Sequence, residues 1–116
     1  MHTQLEEGSA TLLPRRLHHD PFWPPISLHE VREALALSAS SSEPRLEVAV
    51  RCAILHLDRE LAGARRLWKR QGYRHLEHVP SASAGGESAV VRQYHRAVQR
   101  ATQRLLQEQV TEQPHG

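Results

Sequence analysis

Gly72-Tyr73-Arg74-His75-Leu76-Glu77-His78-Val79-Pro80, a Ser/Ala/Gly-rich link over 81–85 and then Gly86-Glu87-Ser88 divide this chain of 116 residues into two long helical patterns. Gly72 is placed to end the first of them, because glycine takes the left-handed backbone of a C-terminal cap without steric cost. Gly86-Glu87-Ser88 is placed to start the second, with Glu87 favoured at the positive helix end. A fixed, punctuated elbow between two helices belongs to a small all-α module, which makes surfaces rather than chemistry.

Upstream of the elbow, Leu46, Val50, Ala53, Ile54, Leu57, Leu61, Ala64 and Trp68 recur at three- and four-residue steps. This is an unbroken buried stripe, and it predicts one helix of about 28 residues from Ser42-Glu43-Pro44 to the cap at Gly72. Gly63 costs about 1 kcal/mol against alanine inside such a helix, which points to a close helix contact there. Arg65, Arg66, Lys69 and Arg70 fill the last turns, where cations complement the dipole. Downstream, Val91, Tyr94, Val98, Ala101 and Leu105 alternate three and four apart as far as Gln109. That heptad-like seam suits antiparallel packing on the preceding helix.

A shorter helix comes first. Ser27-Leu28-His29-Glu30 has capping-box spacing, and Ile26 and Val31 stand where a hydrophobic staple has them. Leu28, Val31, Leu35 and Ala34 form its inner face, and the serine run Ser38–Ser42 ends it. The expected architecture is therefore three main helices with an extended N-terminal arm and no strands. Residues 1–21 are a flexible arm, 22–109 the helical domain and 110–116 a flexible tail. Phe22-Trp23-Pro24-Pro25 is extended, since proline restrains the residue before it. Its two rings either staple onto this domain's own first helix or dock on a partner.

Composition narrows the function. The core is thin and aliphatic, with five aromatic residues in the whole chain, and such a domain often gains stability from neighbouring subunits. Net charge is +2, but residues 1–60 carry −3 and residues 61–116 carry +5. An acidic front and basic back pair head to tail between copies and generate a ring or a filament. The single cysteine, Cys52, allows no internal disulfide and reads as a small buried apolar side chain. No apolar leader and no membrane-length apolar run is visible, so a soluble protein made inside the cell is expected, with no membrane partner.

Nine histidines invite a metal reading, but none has the spacing of a zinc site, and no metal or cofactor is expected. No nucleophile–base pair or phosphate loop is visible either, so no catalytic residue is named. Arg92, Arg96, Arg100 and Arg104 step by four along the third helix, with no acid within the row to offset their repulsion. They are either a solvated face or an interface with an acidic surface, such as Glu30, Glu33, Glu43 or Glu47 of another copy. A duplex backbone is also possible for such a row, but no recognition helix accompanies it.

Phe22-Trp23-Pro24, Arg45-Leu46-Glu47, Gly72-Tyr73-x-x-Leu76-x-x-Val79-Pro80, Gly86-Glu87-Ser88 and Tyr94 together resemble the head completion proteins (GPL family) of temperate contractile-tailed phages. These are similar to the wider head–tail connector, or adaptor, group, and the resemblance spans about three quarters of the chain. It implies a non-enzymatic helical subunit that forms a ring, usually of twelve, beneath the portal protein. Such a ring extends the channel for double-stranded DNA, which passes without sequence recognition. It docks the tail, through a stopper or tail terminator protein. The implied location is the virion neck, reached from the host cytoplasm during assembly. Phe22 and Trp23 would anchor the arm, and Gly72, Tyr73, Leu76, Val79 and Pro80 would shape the elbow. The interface candidates are Phe22, Trp23, Glu30, Glu33, Arg92, Arg96, Arg100 and Arg104. The competing readings are a small helical DNA-binding or regulatory protein and an enzyme with a cryptic site.

Overall fold

The computed structural model describes residues 16–37 and 42–112. The described chain enters through β1 (Arg16–Leu17), which pairs antiparallel with β2 (Ile26–Ser27), Leu17 opposite Ile26. Leu17 is buried. The packed domain therefore begins before residue 22, and the expected boundary of a free arm at residue 21 is wrong for residues 16–21. Residues 1–15 and 113–116 lie outside the described residues.

β2 runs straight into α1 (Leu28–Ala34). Ser27 Oγ accepts the Glu30 amide at 3.2 Å, and Ile26 and Val31 are both buried beside this cap. The helix stops before the serine run. Leu37 N donates to Arg32 O at 3.0 Å and Ala36 N to Glu33 O at 3.1 Å, while Ala36 stands at φ 55°. This is a Schellman closure with alanine where glycine is usual. Residues 38–41 of the run lie outside the described residues.

α2 (Glu43–Glu60) starts as its residues predict, with Pro44 in the first turn and Ser42 Oγ accepting the Arg45 amide at 3.3 Å. Leu46, Ala49, Val50, Ala53, Ile54 and Leu57 are buried along it. The single long helix expected here is two. The backbone leaves helical geometry at Leu61 (φ −101°, ψ 13°), and α3 (Ala62–Arg70) follows. Leu61 N still donates to Leu57 O, and Arg65 N to Leu61 O, so the break removes no bond at Leu61. Gly63 is exposed, and a Cβ there would meet nothing within 4 Å. Among the described residues, the expected close helix contact is absent at this glycine.

Gly72 (φ 101°) closes α3. Its amide donates to Lys69 O and that of Tyr73 to Trp68 O, both at 3.0 Å, which is the full Schellman pair. A 3₁₀ turn (Leu76–His78) leads to β3 (Ser83–Ala84) and β4 (Glu87–Ser88), an antiparallel hairpin. Gly85 (φ 62°) and Gly86 (φ 83°) form its turn, and two successive positive φ angles match the right-handed twist of a hairpin. Gly86-Glu87-Ser88 is thus a turn and return strand before it is a helix start. Ser88 Oγ then accepts the Val91 amide at 3.3 Å, capping α4 (Ala89–Glu112). α4 continues through residues 110–112, which the expected flexible tail had included.

The core lies between α2 and α4. Val91, Tyr94, Val98 and Ala101 are buried against the α2 stripe, with Leu105 packed at its margin. The domain is mainly helical, as expected, but it carries two short ladders that were not. Two-residue strands are too short to show an alternating pattern.

Candidate assembly surfaces

The residues picked out for docking divide into a group that holds the fold and a group that faces outward. Phe22 and Trp23 belong to the first, at 1% and 2% exposure. The extended run expected here is instead a turn over residues 20–23, closed by Trp23 N donating to Asp20 O at 3.0 Å, and the two rings turn inward. Phe22 meets Trp23 edge-on at 4.9 Å and stacks on Trp68 at 6.0 Å, while Trp23 lies flat on Tyr94 at 4.9 Å. Four of the five aromatic residues thus form one cluster joining the N-terminal loop, α3 and α4. Of the two readings of this pair, the structure favours the staple within the domain, and the docking reading is corrected. Rings buried this deeply have no surface left to offer a neighbour.

Polar groups lock the same loop. Trp23 Nε1 donates to Asp58 Oδ1 at 2.8 Å. Asp58 also lies 3.3 Å from Arg65 Nε and 3.6 Å from His19 Nε2, although the Arg65 Nε contact is not aligned as a hydrogen bond. Asp20 Oδ1 accepts the Phe22 amide at 2.8 Å and stands 4.0 Å from Lys69 Nζ, while its Oδ2 is 3.5 Å from Arg65 Nη1. His75 Nδ1 lies 3.0 Å from Pro21 O and His18 Nε2 lies 2.8 Å from Trp23 O. A carbonyl only accepts, so each of these ring nitrogens carries its proton. The Tyr94 hydroxyl is buried and has no hydrogen-bond partner among the described residues. Burial, helped by the negative charge of Asp58, pushes its pKa well above that of free tyrosine.

The elbow is tied to this loop. Leu76 N donates to Phe22 O at 2.9 Å. Leu76 and Val79 are buried, Tyr73 is half-buried against the core and Pro80 is exposed. The hairpin is tied to α4 in turn. Ala89 N donates to Ala82 O at 2.7 Å, Arg92 Nη1 donates to Glu87 O at 2.8 Å, and His95 Nδ1 is 3.4 Å from Glu87 Oε2. Arg92 therefore helps fix the hairpin, and the exposed part of the arginine row begins at Arg96.

The second group is the surface. Arg96, Arg100 and Arg104 are exposed along α4. A groove of about 190 Å³ beside Arg104 is lined by Cys52, His56, Ala101, Leu105 and Glu108. Cys52 is exposed, contrary to expectation. It lies one residue off the Val50–Ala53–Ile54–Leu57 stripe, and about 100° of helical rotation carries it out of the core. On α1, Glu30 and Glu33 are exposed, with His29 Nε2 3.4 Å from Glu33. The sequence reading missed Val48, Leu55 and Leu67, large apolar side chains left in solvent. Val48, Cys52 and Leu55 have helical i, i+4, i+7 spacing, a second stripe beside the buried one that pattern alone does not separate from core.

Among the described residues, no group of three His, Cys, Asp or Glu side chains is arranged to hold a metal ion, and no helix is long and apolar enough to cross a membrane. No curated protein and no solved structure matches the chain. The sequence model for the phage head completion protein (GPL) matches residues 17–112, from β1 to the end of α4. The chain belongs to the phage head completion protein (GPL) family, and the role that goes with that family is a structural one in the phage head.

Proposed function

We propose that this protein is a connector subunit that assembles as a ring under the portal of a DNA-filled capsid. The ring extends the channel for double-stranded DNA and presents a docking face to a stopper or tail terminator protein. The ring, twelvefold by resemblance to the family, forms on the portal after DNA packaging, in the host cytoplasm during virion assembly.

The observation that carries the reading is the outward arginine row. Arg96, Arg100 and Arg104 are exposed on a rigid helix and have no acidic partner within 4 Å among the described residues. Glu30 and Glu33 stand exposed on α1 of the same subunit. Opposite charges on two helices of one body pair between copies, and a contact that joins unlike surfaces is head to tail, giving a ring where the rotation closes and a filament where it does not. Phe22 and Trp23 contribute by fixing the shape of the subunit, not by touching its neighbours.

The test is Arg96→Glu with Arg100→Glu. Negative-stain images of the variant are expected to show no rings, while far-UV circular dichroism still shows a helical monomer. Rings of unchanged number and size would remove the arginine row from the interface.

A further inference from the structure

We propose that the outer face of α3 is a binding site for the phosphate backbone of double-stranded DNA. The choice of ligand rests on the connector reading, which brings a duplex alongside the ring. The site itself rests on the way α3 divides its cations.

Residues 61–76 hold five lysines and arginines and no acid. Two of the five are spent inside the domain. Arg65 faces Asp20 and Asp58, and Lys69 faces Asp20. Arg66 and Arg70 turn the other way. Both are exposed, as are Arg59 one turn before α3 and Arg74 just past the Gly72 cap. None of these four has an acid within 4 Å among the described residues, and the nearest acid upstream, Glu60, is 3.4 Å from His56. At 100° per residue, Gly63, Arg66 and Arg70 project within about 60° of one another, on the side away from Trp68 and the core. Gly63 leaves that side bare, with nothing among the described residues within 4 Å of its Cβ position.

Arg66 and Arg70 repel each other at i, i+4 spacing, and nothing within the described chain offsets that cost. Guanidinium groups suit phosphate oxygens, which they grip through paired N–H donors. The α4 row is a poorer candidate for DNA, because Arg104 shares its groove with Glu108 and Arg92 is bound to the hairpin. No part of α3 is shaped to read bases, so the contact is with the backbone alone and indifferent to sequence.

The experiment is fluorescence anisotropy of a labelled 30-base-pair duplex titrated with the full chain between 50 and 200 mM salt. Four phosphate contacts give a slope of about −3.6 in log affinity against log salt, a loss of about 150-fold over that range. Arg66→Gln with Arg70→Gln removes two contacts and is expected to reduce the loss to about 12-fold. Arg16→Gln with Arg45→Gln, exposed cations outside both α3 and the α4 row, is expected to leave both affinity and slope as they are. Absence of binding by the parent chain at 50 mM salt overturns the proposal, and so does an equal effect of the two variant pairs. Mass photometry of the same samples keeps the two readings apart. Missing rings count against the connector, whereas intact rings without DNA binding count against this site alone. Intact DNA binding with rings lost only in the Arg66/Arg70 variant would make α3 a contact between copies and overturn the proposal.

Discussion

Trp23 fills a core position and answers a charge with the same ring. Its face covers Tyr94, and its N–H reaches Asp58, 35 residues further on. Trp23→Phe keeps most of the buried area but removes the donor, and a hydrogen bond to a charged acceptor contributes about 1.5–3 kcal/mol. A loss of that size is expected in urea unfolding, and about 3–5 kcal/mol for Trp23→Ala, which also leaves a cavity. If ring assembly weakened while the urea midpoint held, Trp23 would be a docking residue after all. The sequence shows that an aromatic pair in a proline-bounded segment must lie on something apolar. It does not show what, because a bond to Asp58 over that separation leaves no periodic trace. Cys52 was misread for a related reason, since one position along a helix turns a side chain from core to solvent.

Helix ends separate what was legible in the elements from what was not. Ser27, Ser42 and Gly72 cap where their chemistry says they should, because each end is made by one residue with one distinctive property. Ala36 ends α1 in the left-handed region, where alanine has no such advantage, so the eye passes to the serines beyond. Ala36→Gly is expected to stabilise the domain by about 1 kcal/mol, since an L side chain costs about that much in the left-handed region. The melting temperature should rise by about 4–8 °C, read by calorimetry. No rise would mean that Ala36 is unstrained. The break at Leu61 was hidden because Leu57, Leu61, Ala64 and Trp68 keep their spacing across it. The hairpin at Gly85-Gly86 was hidden because its strands are two residues long.

Across the whole molecule, the boundary of the domain was the misjudged feature, and proline content was the cause. Four prolines between residues 14 and 25 argue rightly against a helix. They do not argue against packing, and Leu17 is as buried as the central helix residues. A chain beginning at Arg16 is expected to exceed one beginning at Phe22 by at least about 2 kcal/mol in unfolding free energy, from the burial of Leu17 alone. Equal stabilities in parallel denaturant titrations would return residues 16–21 to a free arm. The outward charges were visible as a front and a back, but the division of α3 into spent and unspent cations needed Asp20 and Asp58 to be placed.

The tie between Trp23 and Tyr94 also sets a timetable. A ribosome adding 5–20 residues per second needs about 4 to 14 seconds to go from one to the other. Through that interval the indole lacks its stacking partner. The segment that carries Trp23 is made before any of the four helices and, by this geometry, is among the last parts of the domain to be seated.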